Sequence, residues 1–182
     1  MKQAGKRLSL CAVLTALALG LSYMERFLPL ELLIPLPGIK LGLANVVTLF
    51  ALFFLGVRDA IAILLARCFL GSLFAGNLSG LIFSVSGGLL AMLTMSLLKK
   101  SKRLSVYGIS VGGAAAHNLG QIFAATAVMK TTAVFSYLPL LLLAAICSGL
   151  LTGAASAGVF RALAASGLVR SNEPPNHRKG ER

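Results

Sequence analysis

The chain has 182 residues, 57% hydrophobic and only 12% charged, with a mean hydropathy of +0.88. A soluble domain carries roughly a quarter charged residues, so this chain lacks the polar surface to coat a globule and falls in the membrane class. Its net charge of +12 raises nucleic acid as a partner, but no RNA-recognition signature, zinc-finger spacing or basic stripe interleaved with aromatics supports one.

A membrane helix needs about 20 apolar residues. The first run, Leu8 to Met24, lies between Arg7 and Glu25. No small-x-small cleavage site follows "MKQAGKR" and its apolar run, so the segment reads as a retained helix. "LSLC", ending at Cys11, lacks the small residue and the upstream apolar run of a lipoprotein signal. Within this run Ala12, Ala16 and Gly20 recur every four residues, the spacing that lets helices approach closely. The next stretch, "RFLPLELLIPLPGIK", is too short and too broken by proline to span, and reads as an outer loop.

The second run is Leu41 to Val57, with Lys40 at its mouth and Asn45 one turn in. The third is Ala60 to Gly76, with Arg67 near its middle and Asn77 at its boundary. The fourth is Leu78 to Leu98, ended by "KKSKR". The fifth is Leu104 to Met129, which holds "GGAAA" and "AHNLGQ". The sixth is Phe135 to Phe160, with Pro139 in its first turns and a second small-residue repeat, Ala145, Gly149, Gly153 and Ala157. The segment from 166 to 182 is polar and reads as a disordered tail after a membrane domain spanning 1 to 165.

With the N-terminus in the cytoplasm, thirteen lysines and arginines fall inside and three (Arg26, Lys40 and Lys130) outside, with Arg67 between them. That bias sets the orientation, and six spans put both termini inside. The expected fold is an all-α bundle of six membrane helices in the cell membrane, its basic inner face attracted to anionic lipid.

Arg67 sits roughly 10 Å from the inner end of its helix. A charge at that depth costs about 2.5–3.5 kcal/mol on insertion scales and needs a partner. Of five acids, Glu25, Glu31, Asp59, Glu173 and Glu181, none lies inside a run. Arg67 is therefore expected to use carbonyls, amides, water or an arriving anion. Asn45, Asn77, His117, Asn118 and Gln121, with Lys40 at the mouth, complete an outward-opening polar set suited to a small anionic ligand. The blander alternatives are helix-to-helix hydrogen bonds for the amides and histidine, snorkelling for Arg67 and an interfacial anchor for Lys40. The small residues of the fifth and sixth runs read as packing within the bundle, whereas those of the first leave room for an external partner helix.

The three cysteines, Cys11, Cys68 and Cys147, have no CxxC spacing, which argues against a disulfide framework or a metal site. The sequence offers no Walker A loop, and its single aspartate rules out a DDxxD diphosphate site. Neither a zinc site nor a catalytic triad can be assembled. A non-enzyme without cofactor is expected, and any transport would draw its energy from another protein.

"PLPGIKLGLANVVTLFAL", "RCFLGSLFAGNLSGLIFSVSGGLLAML" and "AHNLGQ" resemble the bacterial membrane family labelled heptaprenyl diphosphate synthase component I, also called the Gx transporter family. That family is similar to the substrate-binding S components of energy-coupling factor (ECF) transporters. The resemblance implies a six-helix bundle that takes a nutrient from outside and docks on a T subunit driven by two ATPases. An AxxxA pattern in the first helix does the docking, here Ala12 and Ala16 with Gly20 continuing the stripe. It implies an anionic ligand, an isoprenoid or quinone precursor among the options, bound by Arg67, Asn77, His117, Asn118, Gln121, Asn45 and Lys40 under an outer-loop lid. The alternative is a non-catalytic membrane partner of a heptaprenyl diphosphate synthase, or of a quinone or flavin electron-transfer assembly.

Overall fold

A computed structural model describes residues 2–27, 40, 42–101 and 103–166. Among them are six α-helices and no strand: α1 (Lys2–Met24), α2 (Asn45–Phe54), α3 (Val57–Ala75), α4 (Leu78–Lys99), α5 (Val106–Met129) and α6 (Leu138–Ala165). Short 3₁₀ turns follow α1 (Glu25–Phe27) and precede α6 (Thr132–Tyr137). The proline-rich loop, its lid role and the tail beyond Ser166 lie outside the described residues.

Three segments are long and apolar enough to cross a membrane: Ala4–Met24, Leu78–Lys99 and Thr132–Ala165. The outer surface agrees. Leu8, Phe69, Phe74, Leu78, Leu143 and Leu151 are each more than 60% exposed, an apolar covering that a water-facing monomer does not carry. The chain is an all-helical bundle consistent with a membrane protein.

The helices stop where the local chemistry stops them. Asn77 caps α4 by accepting from the Gly80 N–H at 2.9 Å, and Ser105 caps α5 through Gly108 at 3.3 Å. Pro139 occupies the first turn of α6, where its missing N–H costs nothing.

Helix α2 departs from expectation. The apolar run from Leu41 to Val57 is helical only from Asn45 to Phe54. Ten residues rise about 15 Å, half of a hydrocarbon core about 30 Å thick. Gly42 sits at φ +82°, a left-handed conformation that favours glycine and blocks helical continuation. The C-terminal end of α2 is held by cations. Arg7 donates to the Leu55 carbonyl at 3.1 Å, and Lys99 to the Leu52 carbonyl at 2.8 Å, where helix carbonyls are left over. Arg7 also pairs with Asp59 at 2.6 Å.

Helices α4, α5 and α6 pack through small residues. A methyl group on Gly120 would lie 2.7 Å from the Ser86 carbonyl oxygen and 2.8 Å from the Gly87 Cα. The α4 and α5 backbones are therefore in direct contact. Ala145, Gly149 and Gly153 are buried in α6, with Gly149 against the Val111 backbone. This repeat is packing within the bundle, as its sequence position implied. The α1 repeat differs: Ala12, Ala16 and Gly20 are exposed, while Leu14, Ala18, Ser22 and Glu25 form the buried stripe on the other side of the same helix and its 3₁₀ extension.

Candidate functional site

Fifteen ångströms is also about the rise from Val57 to Arg67 along α3, so Arg67 meets the N-terminal end of α2 halfway along the bundle. Its Nη2 donates to Asn45 Oδ1 and its Nη1 to Ser22 Oγ, both at 3.2 Å. The side chain is buried, at 5% exposure. Arg67 thus joins α1, α2 and α3 and does not snorkel to a surface.

Residues 40 and 42–44 are not helical, and they run beside this arginine inside the bundle. Side chains meet three of their backbone groups, and the Gly42, Leu43 and Ala44 carbonyls accept from the N–H groups of Asn45, Val46 and Val47. Gln121 of α5 grips Lys40 at two points, accepting from its N–H at 3.0 Å and donating to its carbonyl at 2.8 Å. Glu25 accepts from the Gly42 N–H at 2.5 Å. The Lys40 amine reaches Ser84 Oγ of α4 at 3.1 Å. Irregular backbone inside a bundle survives only where other groups satisfy it, and Gln121 and Glu25 perform that task here.

Glu25 corrects one expectation. An acid at the end of a run reads as a membrane boundary, yet Glu25 is only 4% exposed and turns inward. Burial raises its pKa above the ordinary carboxylate value, partly opposed by the Gly42 N–H and by the charges of Arg67 and Lys40. Arg67 therefore has a carboxylate within its electrostatic reach. Ser22, Glu25 and Ser84 are site residues that sequence reasoning missed. For the first two a signal existed, since Ser22 and Glu25 are three apart and share a helix face.

Several polar atoms remain over. Arg67 Nε and Asn45 Nδ2, both donors, and the two His117 ring nitrogens, one donor and one acceptor in the neutral ring, are buried with no hydrogen-bond partner among the described residues. They are neighbours: a methyl on Gly42 would lie 2.8 Å from Asn45 Nδ2 and 3.3 Å from His117 Nε2. Buried polar atoms without partners cost about 1–3 kcal/mol each, so their gathering at one place makes this a candidate site.

Of the expected site residues, Arg67, Asn45, Lys40, His117 and Gln121 come together. Asn118 does not join them, because one residue on from His117 the helix has turned its side chain to the Leu141 carbonyl of α6, at 2.6 Å. Asn77 is exposed at the α3–α4 turn, where its side chain is the α4 cap.

Beside this set lies a cavity of about 410 Å³ between α1 and α3, lined by Ala16, Leu19, Gly20, Ser22, Tyr23, Lys40, Gly71 and Phe74. It shares Lys40 and Ser22 with the polar set. Among the described residues no group of three or more histidine, cysteine or acidic side chains could hold a metal ion. What the arrangement offers is hydrogen bonding and positive charge, with two cations to one buried acid.

The profile of the family described as heptaprenyl diphosphate synthase component I matches residues 14–159. No curated protein and no solved structure matches the chain.

Proposed function

The chain belongs to the heptaprenyl diphosphate synthase component I family, and from that premise we propose that it is a non-catalytic membrane protein that binds a small anionic ligand, the substrate-binding component of an ECF-type transporter. The observation that supports this most is the non-helical segment at Lys40 and Gly42–Ala44, held inside the bundle among Arg67, Glu25, His117 and Gln121. Broken helices at midplane polar clusters are how membrane proteins bind small solutes. In this reading six spans leave both termini in the cytoplasm, and the ligand arrives from outside at the Glu25 end. Arg67 and Lys40 supply charge to its anionic group, while Asn45 and His117 supply hydrogen bonds. The exposed Ala12, Ala16 and Gly20 face docks a T subunit, which brings two ATPases.

The family description supports a second reading, a membrane scaffold for a prenyl synthase. Its working surface would be the exposed basic end, with Lys99, Lys100 and Arg103. Mild-detergent purification of tagged protein from host membranes separates the two. The transporter reading expects a T subunit and paired ATPases to co-purify, and to be lost in Ala12→Leu/Ala16→Leu but kept when Lys99, Lys100, Lys102 and Arg103 are neutralised. A prenyl synthase or redox partner without ATPases, lost on the opposite substitutions, would replace it with the scaffold.

A further inference from the structure

The polar set does not explain the cavity beside it. Six of its lining residues, Ala16, Leu19, Gly20, Tyr23, Gly71 and Phe74, come from the facing sides of α1 and α3 and present mostly apolar surface. The cavity is hollow because three of them are alanine or glycine. Among the described residues a methyl on Gly20 would meet nothing within 4 Å, and one on Gly71 would lie 3.3 Å from the Leu19 Cδ1. Gly20 and Phe74 are exposed on the apolar exterior of the bundle, so the cleft opens toward the membrane.

Its other end is different in kind. Lys40 and Ser22 line it, and Ser22 Oγ carries a hydrogen bond from Arg67. One side of the space is thus apolar and lipid-facing, and the other ends at a lysine with an arginine one hydrogen bond behind. Among the described residues Glu25 is the one buried acid set against these two cations, so the excess charge at this end is positive and favours an anion. About 410 Å³ falls within the range of small-molecule pockets, roughly 300–1,000 Å³.

We infer that this cleft is the binding site of a single-chain amphipath, with its anionic head at Lys40 and Ser22 and its hydrocarbon tail between α1 and α3. A ligand of this class reaches the site sideways from the bilayer, and its head stops where the polar set begins. The inference names the ligand class of the site proposed above and rests on that reading only for the head group.

The test uses the full chain in phosphatidylcholine nanodiscs and a dodecyl phosphate with a diazirine at the end of its tail. After illumination, labelled residues are mapped by mass spectrometry. Saturable labelling is expected on α1 around Leu19 to Tyr23 and on α3 around Gly71 to Phe74. Unlabelled dodecyl phosphate should compete, whereas dodecanol and inorganic phosphate should not. Gly20→Leu and Gly71→Leu fill the cleft from opposite walls, and each should lower labelling by about tenfold, the effect of losing little more than one kilocalorie of binding. Their thermal unfolding midpoints show that each variant folds, and two variants keep the test alive if one does not.

Equal competition by inorganic phosphate would overturn the cleft as a tail site while leaving the anion site standing. Equal competition by dodecanol would overturn the head-group assignment. Equal competition by phosphatidylglycerol would assign the cleft to bilayer lipid and end the proposal. Absence of saturable labelling would do the same, and would leave the transporter reading to the co-purification of a T subunit and paired ATPases with the unsubstituted chain, which does not depend on the cleft.

Discussion

Two regions of this bundle bury polar side chains, and they do so in opposite ways. Along the seam of α4, α5 and α6 the polar groups tie one helix to the next. Ser110 and Thr152 share a hydrogen bond at 2.6 Å, Ser86 donates to the Gly120 carbonyl at 3.1 Å, and Asn118 to the Leu141 carbonyl. Around them glycine brings backbones into contact. Around Arg67 the helices stand apart, an irregular segment fills part of the gap, and polar atoms are left over on Arg67, Asn45 and His117. The seam uses polarity as adhesive, at about 0.6–2 kcal/mol per bond. The seam also leaves buried atoms over, Asn118 Oδ1 and Ser156 Oγ, but around Arg67 the leftover groups include N–H donors of a guanidinium and an amide, gathered beside one irregular segment.

The largest effect should come from the seam. Gly120→Leu places atoms where the Ser86 carbonyl and Gly87 Cα already are. Relief requires α4 and α5 to separate, at a cost of about 3 kcal/mol or more. Thermal unfolding in detergent should show a large loss of stability or no folded protein. Near-normal stability would mean that the seam is slack and that the contrast between the two regions is weaker than drawn.

Gln121→Leu should come next, and it acts on the other region. It removes both hydrogen bonds to Lys40 and strands a half-buried N–H and carbonyl, each at a cost of about 1 kcal/mol. The seam keeps its contacts. Hydrogen exchange should therefore accelerate at Gly42 to Asn45 while α5 and α6 stay protected. Uniform acceleration throughout would show that the segment and the seam form one cooperative unit.

Much of this architecture is legible in the sequence. Apolar runs bounded by charges locate the helices, and the small-residue spacing of the sixth run finds the α5–α6 contact. The polar set is mostly legible too, because an unpartnered arginine in an apolar run demands company. The break before Asn45 is not, since "LGLA" is as apolar as the helix it precedes and only the backbone at Gly42 reveals it. Glu25 is missed because charge at a run's end signals a boundary whether the side chain turns out or in. Asn118 and His117 are adjacent in sequence, yet a rotation of one residue sends them to different regions, a distinction that needs the neighbouring helices.

A smaller effect concerns Glu25. Burial raises its folded pKa above the unfolded value of about 4.3. Between those two values the folded chain holds the proton more tightly than the unfolded one, so stability falls as pH rises through the interval. Glu25→Gln keeps an oxygen for the Gly42 N–H and removes the titration. The variant should lose this pH dependence and gain relative stability on the alkaline side. A dependence that survives the substitution would assign it to another group and weaken the view of Glu25 as the buried counter-charge of Arg67 and Lys40.

The smallest effect separates a cap from a ligand-binding residue. Asn77 follows α3, the helix that holds Arg67, and its amide could serve either purpose. Its side chain accepts from Gly80 N–H and is exposed, so Asn77→Ala should cost about 1 kcal/mol, the ordinary value for losing an N-cap. Asn77→Ser restores an acceptor and should recover most of that loss. Dodecyl phosphate labelling should be the same in all three proteins, since the cap stabilises α4 without touching Arg67. A loss of labelling in Asn77→Ala that serine repairs in step with stability would instead tie the start of α4 to the site. That would extend the reserve of hydrogen-bonding groups to the Glu25 end of the seam and blur the boundary between the two regions.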